Sequence, residues 1–238
     1  MFLFSQNFNL YYLVILRHYK IAFADEEFHF YLGYVFLSIA VIVINLVSCG
    51  MYSFGEALRY SSFTVISLSS GTGFVNSEFA DWPQLSKNIL IVCMIFGSSA
   101  GSTGGGLKAS RVLILLKAAY AYVLSVLRPR SVQVVRLNKK PLAEEEVNGI
   151  IKYLLLYALI FLIAMLLLSG EKLTFMESFT AVVSGLSNDG PYFAGAFAGY
   201  GGFTYLGKIV MMLLMLIGRL EIFPVLLLFV PKTWKRSY

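Results

Sequence analysis

The chain has 238 residues, of which 58% are hydrophobic, 16% aromatic and 13% charged, and its formal net charge is +6. Typical soluble proteins carry about 25% charged residues, and the apolar residues of this chain come in charge-free runs rather than in a helical or alternating pattern. This composition argues against a water-soluble enzyme, and we predict an all-α integral membrane protein.

The first half of the chain holds three apolar stretches of different character. Residues 30–55 carry no charge and are long enough, at about 1.5 Å per residue, to cross a hydrocarbon core of about 30 Å. Residues 60–77 are rich in Ser and Thr and predict a helix that enters the membrane and stops. Residues 88–107 end in a run of glycines that breaks the helix, and a helical pattern resumes over residues 108–127.

The second half follows the same order. Residues 153–170 predict a spanning helix, and residues 178–187 are again short and rich in small and polar side chains. Residues 209–231 are apolar except for Arg219 and Glu221, which we interpret as a buried pair.

Basic residues decide the orientation and the division of the chain. They concentrate at the amino end, in the middle linker and at the carboxyl end, which places both termini and the linker in the cytoplasm of a multi-pass protein of the inner (plasma) membrane. The basic linker has no aromatic or helical context for nucleic-acid binding, so we expect a solvated linker.

The predicted segments are an amino-terminal segment and linker (1–29), a first pore repeat (30–127), a cytoplasmic linker (128–146), a second pore repeat (147–231) and a cytoplasmic tail (232–238).

An internal repeat links the two halves. A serine is followed six positions later by a glycine in each half: Ser67 and Gly73, Ser184 and Gly190. Further along, the sequence Met-Ile-Phe-Gly at residues 94–97 corresponds to Met-Leu-Ile-Gly at residues 215–218. Matches in the same order indicate a duplicated unit of spanning helix, short re-entrant helix, glycine-bearing turn and spanning helix.

Such turns have a restricted set of roles inside a membrane. Non-helical backbone at that depth leaves polar groups unsatisfied unless it lines a watery path or is buried in protein. Glycines let successive carbonyls point at one axis and replace the hydration shell of an ion, and the short helix ahead directs its negative end there. The alternative for a single turn is a helix break with close packing. The predicted cation filter consists of Ser70, Gly71, Thr72, Gly73, Ser187, Asn188, Asp189 and Gly190.

Four stretches of the sequence resemble the Trk/Ktr/HKT superfamily of potassium transporters, and within it the bacterial TrkH-like branch. They are Ser-Ser-Gly-Thr-Gly-Phe at residues 69–74, the glycine-rich stretch at 97–108, Asn-Asp-Gly-Pro at 188–191 and Gly-Arg-Leu-Glu-Ile-Phe at 218–223. Members have four helix, pore-loop, helix repeats around a central potassium path and usually form homodimers. This chain resembles their carboxyl-terminal half, the third and fourth repeats.

The resemblance implies further roles. Potassium is the transported ion, held by main-chain oxygens of the filter, and no covalent cofactor is required. A cytoplasmic nucleotide-binding regulatory subunit is an expected partner, as are the remaining pore repeats or a second copy of the chain. An intramembrane loop below the filter and a basic residue of the last helix gate the path. The implied gate residues are Gly101, Ser102, Thr103, Gly104, Gly105, Gly106, Lys108 and Arg219.

Three positions leave alternatives open. Arg219 faces the permeation path, is neutralised by Glu221 or another carboxylate, or does both. Asp189 stands where many members have an apolar residue, and it either raises the cation concentration at the mouth or points away and pairs with a polar neighbour. Gly71 replaces a common Ser or Thr, which removes a hydroxyl and leaves the backbone ligand.

The sequence supports potassium uptake through a carbonyl-lined filter as the first functional hypothesis. The alternative is a non-conducting truncated fragment, or a structural half-subunit that needs the missing repeats. A secondary transporter with a midplane substrate site is a third hypothesis, but it predicts inverted repeats, whereas these two share one orientation. The glycine stretch lacks the Gly-Lys-Ser/Thr order of a nucleotide-binding loop, and no Ser, His and carboxylate set suggests an enzyme.

Overall fold

The computed structural model describes residues 1–128, 133–193, 199–228 and 230. Within these residues the chain forms ten α-helices, one two-stranded hairpin and three single 3₁₀ turns. The elements are α1 Phe8–Ile15, α2 Tyr19–Ala22, α3 Glu26–Ser48, α4 Phe54–Ser69, α5 Gln84–Phe96, α6 Ala109–Leu127, β1 Arg136–Leu137, β2 Lys140–Pro141, α7 Glu144–Leu168, α8 Phe175–Ser187, α9 Tyr205–Leu220 and α10 Ile222–Leu228. The predicted tail, 232–238, lies outside the described residues.

Three of these helices are long and apolar enough to cross a membrane. They are α3, α6 and α7, and the pair α9 and α10 forms a fourth, broken span that bends by 110°. The shorter α4 and α8 precede the two glycine-bearing turns, as expected for re-entrant helices. The all-α membrane architecture predicted from the sequence is confirmed.

The first span begins and ends earlier than the charge-free run of residues 30–55. The carboxylate of Asp25 caps α3 by accepting a hydrogen bond from the N–H of Phe28 at 2.9 Å, which brings two glutamates into the first turn. The helix ends at Ser48, and Gly50 then takes a positive φ of 67°. The uncharged run therefore contains both the end of α3 and the start of α4. The absence of charge does not show where a helix ends or where a capping residue begins the next one.

Both re-entrant helices start with the same capping box. Ser53 pairs with Glu56 at the start of α4, and Thr174 pairs with Glu177 at the start of α8, each hydroxyl lying 2.8 Å from the carboxylate. This reciprocal arrangement satisfies free N–H groups at a helix start. It explains why α4 begins at Phe54, six residues before the predicted stretch, and why α8 begins at Phe175 rather than at residue 178.

Residues 133–146 of the middle linker contain a hairpin and the start of a helix rather than only a solvated segment. Asn138 and Lys139 have φ values of 51° and 63° and form the two-residue turn between β1 and β2, a conformation typical of tight hairpins. The side chain of Asn138 donates to Asp25 at 2.8 Å, which docks the hairpin on the start of α3. The acidic residues 144–146, predicted as linker, form the first turn of α7, where the helix dipole favours negative charge.

The apolar core has two connected parts, one for each repeat. Side chains of α3, α4 and α5 form the first part, and side chains of α7, α8 and α9 form the second. Phe193 and Val183 of the second repeat pack within the first part, where the ring of Phe193 lies 5.2 Å from that of Phe79 between centroids. The two repeats therefore pack as one body with their turns at the junction.

Candidate functional site

The turn after α4 is held open by two glycines in the left-handed region. Gly71 has φ 66° and Gly73 has φ 71°. The N–H of Thr72 donates to the carbonyl of Ser67 at 3.0 Å, and the Ser67 hydroxyl donates to the carbonyl of Phe74 at 2.7 Å. Ser67 thus fixes both sides of the turn.

The turn after α8 repeats this backbone geometry. Asn188 stands where Gly71 does and also has a positive φ, 59°, and Gly190 matches Gly73 with φ 95°. The N–H of Asp189 donates to the carbonyl of Ser184 at 3.1 Å, the same bond at the same offset as in the first turn. The serine and glycine positions aligned from the sequence therefore carry equivalent conformations.

The two turns meet at the junction of the repeats. A Cβ atom on Gly73 would overlap the carbonyl oxygen of Asp189 and lie 3.0 Å from Cδ of Pro191. A Cβ atom on Gly71 would lie 3.7 Å from the carbonyl oxygen of Asn188. Only a glycine at position 73 permits this approach, so the carbonyls of the second turn lie against the backbone of the first.

The glycine loop, residues 97–108 between α5 and α6, lies against both turns. A Cβ atom on Gly104 would lie 3.1 Å from the carbonyl oxygen of Ser70, and one on Gly105 would overlap the carbonyl oxygen of Ser187. Gly105 and Gly106 are buried, whereas Gly101 and Thr103 are exposed. The structure therefore brings two of the predicted gate residues, Gly104 and Gly105, next to the predicted filter residues.

The amino-terminal segment supports the glycine loop, which sequence reasoning missed. The carbonyl of Ser5 accepts from the N–H of Ser99 at 3.0 Å, and the N–H of Phe8 donates to the carbonyl of Gly101 at 3.3 Å. The hydroxyl of Tyr31 connects this segment to α4, because it lies 2.8 Å from the Ser5 hydroxyl and 3.2 Å from that of Ser69.

An ionic cluster joins the end of the loop to the break in the last span. Glu221 has a positive φ of 64° at the break between α9 and α10. Its carboxylate pairs with Lys108 at 2.5 Å and with Arg111 at 2.7 Å. The Arg111 guanidinium also lies 4.0 Å from the ring centroid of Tyr153. Arg111 was not predicted as a site residue. Its partly buried ion pair with Glu221 connects α6, which follows the glycine loop, to the break between α9 and α10.

Arg219 does not form the predicted buried pair with Glu221. The residue is exposed on the described chain, and its guanidinium donates to the main-chain carbonyl of Thr103 in the glycine loop. Glu221 points instead to Lys108 and Arg111, because the bend of 110° separates the directions of α9 and α10. Within the described residues, the apolar stretch predicted over 209–231 contains a break between α9 and α10.

Asp189 is buried rather than open to an outer mouth. The residue is 2% exposed, and its Oδ2 atom has no hydrogen-bond partner in the described part of the chain. The hydroxyls of Ser187 and Tyr157 are likewise buried without a partner there. Burial does not fit a carboxylate that concentrates cations at an open entrance, so the second turn has polar atoms inside the protein as well as carbonyls at its edge.

The sequence matches a family of known proteins. A family model described as TrkH, cation transport protein, matches residues 21–236. The Trk system potassium uptake protein TrkH of Escherichia coli K12 is 30% identical over 92% of this chain and 46% of its own length. The corresponding TrkH of Halomonas elongata is 32% identical over 93% of this chain and 45% of its own length.

A solved structure shows the same architecture. The crystal structure of the potassium transporter TrkH from Vibrio parahaemolyticus superposes with a TM-score of 0.90 at 30% identity, covering 98% of this chain and 51% of that one. The chain thus spans about half the length of the relatives it matches. Because the family model covers most of the sequence and the fold agrees, the chain belongs to the TrkH cation transport protein family.

Proposed function

We propose that the chain conducts potassium into the cell through a path lined by the carbonyls of its two glycine-bearing turns. One observation carries this proposal: two turns of equal backbone geometry meet through Gly73, and the glycine loop is seated against both. The relatives named as potassium uptake proteins and potassium transporters supply the identity of the ion.

The electrostatics of the turns favour a cation. Each turn follows the carboxyl end of a short helix, α4 or α8, where the helix dipole and unpaired carbonyls are negative. Main-chain oxygens in such turns replace the water that a monovalent ion loses on entry. Thr72 and Gly190 are exposed in this chain, which supports a path that runs past the two turns.

The glycine loop serves as the gate in this proposal. It lies against Ser70 and Ser187, which close the two turns, and its far end is tied to the last span through Lys108 and Glu221. Arg219 holds the carbonyl of Thr103 from the same span. A movement of α9 against α10 would therefore be transmitted directly to the loop.

The path needs more protein than this chain to close. Thr72, Gly190, Thr103 and Arg219 are exposed in this chain, and polar groups at membrane depth must face water or protein. The remaining pore repeats or a second copy would cover them. We place the protein in the inner (plasma) membrane with cytoplasmic termini, as a homodimer regulated by a cytoplasmic nucleotide-binding subunit.

Rubidium uptake tests the proposal. The chain is expressed in cells without potassium uptake systems of their own, alone and with a second, differently tagged copy. We expect growth at low potassium and rubidium uptake that potassium competes away and sodium does not, with the two tagged copies recovered together. Normal membrane abundance without uptake would contradict the proposal and support the non-conducting half-subunit.

A further inference from the structure

Glu27 joins two distant parts of the chain through one oxygen atom. It lies in the first turn of α3 and is 6% exposed. Its Oε1 atom accepts a hydrogen bond from the N–H of Ala100 at 2.6 Å and another from the N–H of Ser110 at 3.1 Å. Ala100 belongs to the glycine loop and Ser110 to the first turn of α6, so the carboxylate connects the loop to the helix that follows it.

The start of α6 lacks a cap of its own. Its N-cap residue is Lys108, which has a positive φ of 60° and makes no side-chain capping bond. Free N–H groups at a helix start need an acceptor and favour negative charge. Glu27 supplies both from α3, and its own place in the first turn of α3 is favoured for the same reason.

Three hydrogen bonds hold the first part of the glycine loop, residues 99–101. The N–H of Ser99 is bonded to Ser5, the N–H of Ala100 to Glu27, and the carbonyl of Gly101 to the N–H of Phe8. None of the contacts described above for the candidate site joins these three residues to the filter turns. They form an anchor for the rest of the loop.

The middle of the loop, at Gly104 and Gly105, lies against the turns between hydrogen-bonded residues on either side: Arg219 donates to the carbonyl of Thr103, and the N–H of Leu107 donates to the carbonyl of Ile95 at 3.1 Å. The N–H groups of Gly104 and Gly105 make no hydrogen bond within the described residues. Their closeness to the carbonyls of Ser70 and Ser187 therefore depends on the residues that hold the loop on either side, the anchor among them. A change at the anchor should therefore alter how the loop is seated.

We propose that Glu27 is a positioning residue for the glycine loop: by bonding Ala100 and Ser110 together, it keeps the loop seated against the two turns. This inference rests on the proposed function only in calling the loop a gate. Glu27 acts on the path through the loop, and nothing in the motifs of the sequence assigns it a role. Its removal should free the loop without altering the turns.

Thiol labelling measures loop seating without requiring conduction. Ser98 is fully buried, and a Cβ atom on Gly104 would overlap its hydroxyl, so the seated loop covers it. We would introduce Ser98→Cys in the Cys49→Ser background, which removes the exposed native thiol, and label membranes with a small water-soluble reagent. A parallel sample that retains Ser98 corrects for the buried Cys93.

Two substitutions separate positioning from general stability. Glu27→Ala should raise the labelling rate about tenfold or more, because both charge-assisted bonds are lost. Glu27→Gln keeps an acceptor oxygen of the same reach and should raise it about threefold. Glu145→Ala, which removes an exposed acid from the first turn of α7, should leave the rate unchanged.

Unchanged labelling in Glu27→Ala at normal membrane abundance would overturn the inference. If Glu27→Ala fails to reach the membrane, the Glu27→Gln rate decides, and equality with the parent protein overturns it. Rubidium uptake of the same variants is read separately. Raised labelling with no uptake by any variant would retain the role of Glu27 and reject the proposed conduction.

Discussion

Replacing Gly73 with alanine is expected to abolish rubidium uptake in cells that lack their own potassium uptake systems. Gly73 has φ 71°, where a Cβ atom costs roughly 1–2 kcal/mol from strain alone. The added methyl group would also overlap the carbonyl oxygen of Asp189 and press on Pro191. The two turns must then move apart, which misplaces the carbonyls of both, and uptake is measured against the amount of protein in the membrane.

Gly33→Ala is the matched control for this change. Gly33 lies in α3 with no atom within 4 Å of an added Cβ and with an ordinary helical backbone, so alanine should be tolerated and uptake retained. Uptake by Gly73→Ala equal to that of the parent chain would show that the approach of the two turns is unimportant for conduction. Loss in both variants would point to a general defect in assembly.

Replacing Gly105 with alanine should have the opposite effect and raise uptake about tenfold. The new methyl group would overlap the carbonyl oxygen of Ser187, against which the loop is seated. Overpacking of this kind costs about 1–3 kcal/mol, and about 1.4 kcal/mol changes a population tenfold. The loop can relieve the overlap by moving away from the turns, so the seated, closed form loses population.

Two further variants serve as controls for Gly105→Ala. Gly149→Ala adds a methyl group in α7 with no atom within 4 Å and should leave uptake unchanged. The double variant Gly73→Ala/Gly105→Ala should conduct no better than Gly73→Ala, because the loop acts on the path that the turns form. Reduced uptake by Gly105→Ala at normal abundance would mean that the loop supports the turns rather than obstructing the path.

Sequence patterns were sufficient for the parts of the site that repeat. The equal spacing from Ser67 to Gly73 and from Ser184 to Gly190 predicted two equivalent turns, and both glycines have positive φ. The run of glycines after α5 predicted a broken span because so many glycines disfavour a helix. These features depend on local backbone preferences, which a short stretch of sequence contains.

Contacts between distant residues could not be predicted in the same way. Glu27 is 73 positions from Ala100, and Arg111 is 110 positions from Glu221. An acid in the first turn of a helix is common without any partner, so Glu27 gave no signal of its own. Of the alternatives left open for Arg219, neutralisation by Glu221 is contradicted, because the break at Glu221 turns the two side chains to different partners.

Helix boundaries were missed for a related reason. The absence of charge over residues 30–55 predicts one span, although Ser53 and Glu56 form a capping box that begins α4. The Ser-x-x-Glu pattern and its counterpart at Thr174 and Glu177 were available in the sequence. Apolar length predicts that a membrane is crossed, whereas caps decide where each helix begins.

If the two glycine-bearing turns line one cation path, rubidium should bind between them, and crystallography can locate the bound ion. The protein would be crystallised with rubidium in place of potassium and anomalous difference density collected at the rubidium edge. We expect rubidium density between the two turns, with main-chain oxygens of residues 70–73 and 187–190 as the ligands. Density confined to the Asp189 carboxylate, or none between the turns at saturating rubidium, would contradict it.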